Sequence, residues 1–200
     1  RMLKSNPQTQ IPKAGGLRFG IVAARYNKEL ADALLGNCVD ALAKAGGTVK
    51  VVRVPGSFET PVVASRLAKS GRCDCVIALG VLLQGETKHA DYIGGAVAHG
   101  LTQISIQTVV PVIFGIVAAN GVTQARVRGL GKKYNRGREA AITAIGMAAT
   151  SSDSTLGRCC SSSAPKATSS ASWISSGDSR RCVASSCGRQ VSPGCGDIRR

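Results

Sequence analysis

Aromatic side chains make up only 4% of this 200-residue chain: one Trp, three Tyr and three Phe. Any core must therefore be built from Val, Ile, Leu and Ala, which the 44% hydrophobic content supplies. The same scarcity leaves no RNA-binding aromatic signature, and no basic amphipathic helix stands out. Acidic residues are also few, 11 against 26 Lys and Arg, for a net charge of +15. That excess is spread along the chain, 19 basic against 8 acidic residues in 1–150 and 7 against 3 in 151–200. A solvated basic surface with a few anion-binding residues accounts for it, and no nucleic-acid partner is expected. Residues 93–125 carry no formal charge, but Gly, Gln, Ser, Thr, Asn and Pro interrupt them too often for a membrane span. The opening RMLKSNPQTQIPK is polar and unlike a secretory signal, so a cytoplasmic location and free thiols are expected. Only two histidines occur, His89 and His99, and Cys73-x-Cys75 lacks a second pair, so zinc spacing fails and no metal is expected. Gly15-Gly16 with Gly20 is neither a dinucleotide fingerprint nor a P-loop.

What is present is an alternation of two periods. Residues 1–16 read as a flexible arm, with Pro7 and Pro12 against helix. Leu17–Ala24 reads as a strand, and a helix follows with Leu30, Leu34, Leu35, Cys38 and Leu42 on one face, stopped by Gly46-Gly47. Val49–Val54 is a second strand, and Pro55-Gly56-Ser57 turns into a helix carrying Phe58, Val62, Val63 and Leu67, with Pro61 in its first turn. The run Val76–Leu83 is apolar without a break, as in a strand buried on both faces. After Gln84–Lys88 a helical spacing resumes at Tyr92, Ile93, Ala96, Val97, Leu101 and Ile104. A fourth strand is expected over Val109–Val117, where Pro111 argues for a sheet edge. Two weaker helices are expected over Thr123–Arg128 and Asn135–Ala149. Four strand–helix units predict an α/β fold with a four-stranded parallel sheet covered on both faces, spanning residues 17–150. Residues 151–200, with fifteen Ser, five Cys and no period, are expected to be a disordered tail.

In a parallel sheet the carboxyl ends of the strands share one rim, where ligands bind. Arg25-Tyr26-Asn27, Gly56-Ser57-Phe58-Glu59 and Gly85-Glu86-Thr87-Lys88-His89 lie at three such ends, and Phe114 lies within the fourth strand. Singly each has a bland reading: a core ring, a solvated carboxylate, a structural histidine. Together they mark a site. A strand-to-helix junction there also suits a phosphate.

VPGSFETP (54–61), GVLLQGETKHADYI (80–93) and PVIFGI (111–116) resemble the signature blocks of the 6,7-dimethyl-8-ribityllumazine synthases, enzymes of riboflavin biosynthesis. The resemblance is strong over about Leu17–Ile116, patchy to about Ala149, and does not reach the tail. It implies a flavodoxin-like three-layer αβα sandwich and a transferase that needs no cofactor. The reaction it implies condenses 5-amino-6-(D-ribitylamino)uracil with 3,4-dihydroxy-2-butanone 4-phosphate, releasing phosphate and water. By the same resemblance Tyr26 and Asn27 face the pyrimidine, and Ser57, Phe58 and Glu59 hold the ribityl chain. Val81, Leu82, Leu83 and Phe114 wall the heterocycle pocket, and Glu86, Thr87 and Arg128 bind phosphate.

His89 matches the proton-transfer residue; the positive end of a helix favours the neutral ring, the form ready to accept a proton. Lys88 invites a Schiff-base reading. In the family the amine belongs to the substrate, so Lys88 is expected as an auxiliary charge, as is Arg136. The resemblance further implies homopentamers, some stacked as shells of twelve, with Phe114 and Arg128 reaching the site of a neighbouring subunit.

Some positions depart from the family pattern. Thr123 stands where an acid usually precedes Gln124-Ala125, Arg126 competes with Arg128 for the phosphate role, and Gly146 replaces an acid before Met147. A non-catalytic flavin- or lumazine-binding relative on the same scaffold is the alternative reading.

Overall fold

The computed structural model describes residues 11–131 and 134–153. Residues 1–10 of the expected arm and 154–200 of the expected tail lie outside the described residues. The elements run β1 (Arg18–Ala24), α1 (Lys28–Lys44), β2 (Thr48–Val54), α2 (Thr60–Lys69), β3 (Cys75–Leu83), α3 (His89–Thr108), β4 (Val112–Ala119), α4 (Val122–Gly129) and α5 (Arg136–Ser151). The four strands pair in parallel in the order β2-β1-β3-β4.

Side chains alternate across a strand, so each central strand feeds two cores. Phe19, Ile21, Cys75, Ile77 and Leu79 pack on one face with Cys38 and Leu42 of α1 and Ala141 and Ile145 of α5. Val22, Val76, Ala78 and Leu82 pack on the other face with Ala64 and Leu67 of α2 and Val97 and Leu101 of α3. This is the αβα sandwich. Burying one such aliphatic side chain contributes roughly 1.5–3 kcal/mol, so the unbroken apolar run of β3, buried over Cys75–Leu82, explains why that strand is central. The thiols of Cys38, Cys73 and Cys75 belong to these layers. Burial pushes Cys38 up to about 12 and Cys75 higher still, which leaves both poor nucleophiles.

Local chemistry sets the element ends. At the end of α1 the Gly47 N–H donates to the Leu42 carbonyl at 3.0 Å and the Gly46 N–H to Ala43 at 2.9 Å, with Gly46 at φ +85°. That pair of bonds closes the helix in a Schellman motif. Ala14, assigned to the arm, is 1% exposed, and its N–H donates to the Ala45 carbonyl at 2.8 Å, tying residues 11–16 to the same corner. Arg18 and Asp74 close the amino end of the sheet, where the Asp74 carboxylate accepts from Arg18 Nη2 and the Arg18 N–H, each at 2.7 Å. The hydrogen bond from Arg18 holds the Asp74 carboxyl below its usual range.

Three sequence expectations are corrected. The fourth strand begins at Val112, because Val109 takes a left-handed conformation (φ 56°) that ends α3. Pro111 precedes the strand and supplies only its carbonyl, to the Val76 N–H at 2.9 Å; β4 is nonetheless an edge. On α2 the buried side is Thr60, Ala64, Leu67 and Ala68, while Phe58 lies before the helix and Val62 points outward, 64% exposed. Thr60 can be buried because its hydroxyl donates to the Ser57 carbonyl at 2.7 Å. Tyr92, expected on the core face of α3, is 71% exposed.

Candidate active site

A cleft of about 990 Å³ opens at the carboxyl ends of β1, β2 and β3. It stands at the upper end of the roughly 300–1,000 Å³ usual for small-molecule sites. Tyr26, Asn27, Ser57, Phe58, Glu59, Val81, Leu82, Leu83, Thr87 and His89 all line it.

The backbone fixes each of these side chains. Asn27 adopts the left-handed conformation (φ 53°, ψ 53°) ahead of α1, where asparagine is tolerated. Its Nδ2 donates to the Val81 carbonyl at 3.1 Å, which ties the end of β1 to β3. A carbonyl can only accept, so the nitrogen is committed to Val81 and Oδ1 is left as an acceptor for a ligand N–H. Tyr26 is held by its own N–H on the Pro55 carbonyl at 3.1 Å, and the residue is 74% exposed. The 56–59 turn is braced from within. Glu59 Oε2 accepts from the Gly56 N–H at 2.9 Å, and the Ser57 carbonyl accepts from both the N–H and the hydroxyl of Thr60. A carboxylate has about four acceptor positions, so Glu59 retains most of them for ligand donors. The 84–88 loop is pinned by Gln84, whose Nε2 donates to the Thr87 carbonyl at 2.9 Å while its N–H donates to Ala119 at 2.8 Å. His89 is the first residue of α3.

The remaining expected residues lie elsewhere. Glu86 and Lys88 are exposed on the loop, alternating with Thr87 and His89, and do not line the cleft. Phe114 is not at the rim. It pairs in register with Ala78, well before the end of β4, and lines a smaller recess of about 230 Å³ with Arg136, Glu139 and Thr143. Arg128 and Arg136 share a further recess of about 250 Å³ with Gln124 and Ile116. Arg126 instead pairs with Glu29 at 3.1 Å. One chain thus presents a cleft lined by aromatic rings, a carboxylate and an imidazole in one place and a recess with two arginines in another.

Tyr92 was missed as a site residue: it lines the cleft beside Ile93 and Ala96. Its signal was available, since Tyr92 stands three residues after His89 and so on the same helical face. Among the described residues no cluster of His, Cys, Asp or Glu could hold a metal ion, and no helix is long and apolar enough to cross a membrane.

A parallel αβα sandwich with a ligand-sized cleft at the carboxyl ends of its strands, rimmed by rings, a carboxylate and an imidazole, defines an α/β enzyme of small-molecule chemistry. A sequence model of 6,7-dimethyl-8-ribityllumazine synthase matches residues 16–152. The chain is 46% identical over 138 residues to 6,7-dimethyl-8-ribityllumazine synthase of Aquifex aeolicus (strain VF5), covering 68% of this chain and 90% of that protein. It is 46% identical over 134 residues to the synthase of Thermococcus gammatolerans (strain DSM 15229 / JCM 11827 / EJ3), covering 66% and 86%. With the synthase of Desulfatibacillum aliphaticivorans it shares 40% over 137 residues, covering 67% and 88%. The chain belongs to the 6,7-dimethyl-8-ribityllumazine synthase family, transferases of riboflavin biosynthesis.

Proposed function

We propose that the protein condenses 5-amino-6-(D-ribitylamino)uracil with 3,4-dihydroxy-2-butanone 4-phosphate, with the residues of the cleft in distinct roles. Tyr26 covers the pyrimidine, and the Asn27 Oδ1 accepts from a ring N–H. Glu59 takes ribityl hydroxyls in charge-assisted bonds, with Ser57 and Phe58 beside it. Val81, Leu82 and Leu83 form the apolar wall. Thr87 and the 85–87 amides receive the phosphate, and His89 moves protons between the two bound substrates. The observation that carries this reading is the meeting of Tyr26, Asn27, Glu59, Thr87 and His89 around one cleft.

Phe114, Arg128 and Arg136 complete the site from a neighbouring copy in a homopentamer. Two observations support this. These residues lie in recesses apart from His89. The long α3 also buries only Val97 and Leu101 and exposes Ile106, ahead of Val109 at 82% exposure, an uncharged surface suited to covering.

The test is turnover of the two substrates, followed by lumazine absorbance and fluorescence. Arg128→Ala is expected to raise KM for the butanone phosphate about 10–100-fold, the worth of hydrogen bonds to a charged group. Arg126→Ala should change it by no more than about twofold, because an exposed pair such as Arg126–Glu29 contributes little. Equal effects of the two would remove Arg128 from the phosphate role, and wild-type protein without product would remove the activity.

A further inference from the structure

The row of β3 side chains that faces α2 and α3 has a gap. Val76, Ala78 and Leu82 fill that face, and the residue between Ala78 and Leu82 is Gly80. Ser57 occupies the gap. A Cβ on Gly80 would stand 2.4 Å from Ser57 Oγ, 3.3 Å from the Ala24 Cβ and 3.4 Å from the Ser57 Cβ. Ser57 is itself 5% exposed, a polar residue seated in an apolar layer.

From this observation we infer that Gly80 is a positioning residue for the cleft: its missing side chain is the seat on which the 56–59 turn rests. The inference builds on the reading of that turn as the ribityl-binding element. The turn is braced as one piece, by Glu59 on the Gly56 N–H at 2.9 Å and by Thr60 on the Ser57 carbonyl at 2.7 Å. Displacing Ser57 therefore carries the Glu59 carboxylate and the neighbouring amides with it. If the hydroxyl instead rotates away from a new methyl group, it changes the surface offered at Ser57. Both outcomes act on the ribityl substrate. Neither touches Thr87 or Arg128, which serve the phosphate. Gly80 thus sets how the sheet presents a polyol-binding turn, without touching substrate itself.

The experiment is Gly80→Ala in the full chain, with KM measured for each substrate separately. KM for the ribitylated pyrimidine is expected to rise about tenfold or more, as small misplacements at a site do, while that for the butanone phosphate stays within about twofold. Unchanged values, or equal rises for both substrates, overturn the assignment. A second arm places Gly80→Ala in a Ser57→Ala background, where the nearest atom is gone and the closest remaining neighbour is the Ala24 Cβ at 3.3 Å, a tight contact that asks for a shift of only a few tenths of an ångström. There the added penalty of Gly80→Ala is expected to shrink to about threefold or less, whereas an undiminished penalty overturns the seat. Should Gly80→Ala alone fail to fold, the double variant compared with Ser57→Ala reads the same contact. A double variant that also fails to fold overturns it. If wild-type protein shows no turnover, the family activity is what fails. Calorimetric binding of the ribitylated pyrimidine to wild-type and Gly80→Ala protein then reads the seat: weaker binding to the variant supports it, equal binding overturns it.

Discussion

His89→Ala is expected to lower kcat by about 10²–10⁴-fold, the usual contribution of a positioned general acid or base, with both KM values changed far less. The imidazole opens α3 and lines the cleft with Thr87 on the adjoining loop and Leu82 on the wall. Among the residues lining the cleft it is the histidine, and the carboxylate there, Glu59, is assigned to the ribityl chain in the proposed reading. With Glu59 so placed, proton transfer in that reading falls to His89. Binding in it does not depend on His89, because the aromatic rim, the Glu59 carboxylate and the proposed phosphate contacts remain. Steady-state kinetics of lumazine formation check the split, and added imidazole should restore part of the lost rate. A kcat within about threefold of wild type would take the proton-transfer role away from His89 and leave the catalysis to positioning alone.

Gly137→Ala should cost roughly 2–4 kcal/mol of stability. A Cβ at Gly137 would lie 2.2 Å from the Leu34 carbonyl oxygen and 3.0 Å from its carbon. These are backbone atoms in the middle of α1, so no rotamer change relieves the clash and the two helices must part. The interface they share buries Leu34, Ala141 and Ile145 completely or nearly so. Gly146, on the same helix, has open space where a methyl group would stand, with nothing within 4 Å. Gly146→Ala should therefore be neutral or stabilising by up to about 1 kcal/mol, the difference in helix propensity. Urea unfolding at one fixed protein concentration compares the two. A stabilising effect of both substitutions would show that propensity, and not the contact with Leu34, governs α5.

The sequence carried most of this arrangement because the signals are local. A run buried on both faces, such as Val76–Leu83, has one stable place, the middle of a parallel sheet. Gly46-Gly47 ends α1 whatever packs around it. The cleft was legible for the same reason, since its walls are strand ends that a parallel sheet must bring to one rim. What was not legible depended on partners distant in sequence. Val62 and Ala64 are both apolar, and only packing against β3 decides that Ala64 goes inside. The start of β4 was set three residues early, and only the strand's register with β3 puts Phe114 beside Ala78. Of the two arginines of α4, spacing already favoured Arg128 for the phosphate, but the pairing of Arg126 with Glu29, nearly a hundred residues earlier, was not legible.

The recess with Arg128 and Arg136 is lined by other residues than the cleft that holds His89, and in the proposed ring this would make catalysis a property of mixtures. If a cleft borrows its arginines from the next chain in a ring, two crippled proteins can repair each other. Co-expressed in equal amounts, His89→Ala and Arg128→Ala chains would form about a quarter of their contacts with an intact cleft facing intact arginines, as random neighbours around a closed ring do. Assayed at low butanone phosphate, the mixture should recover up to about that share of wild-type activity, although each variant alone has little. No recovery would mean that both halves of the site are drawn from one chain.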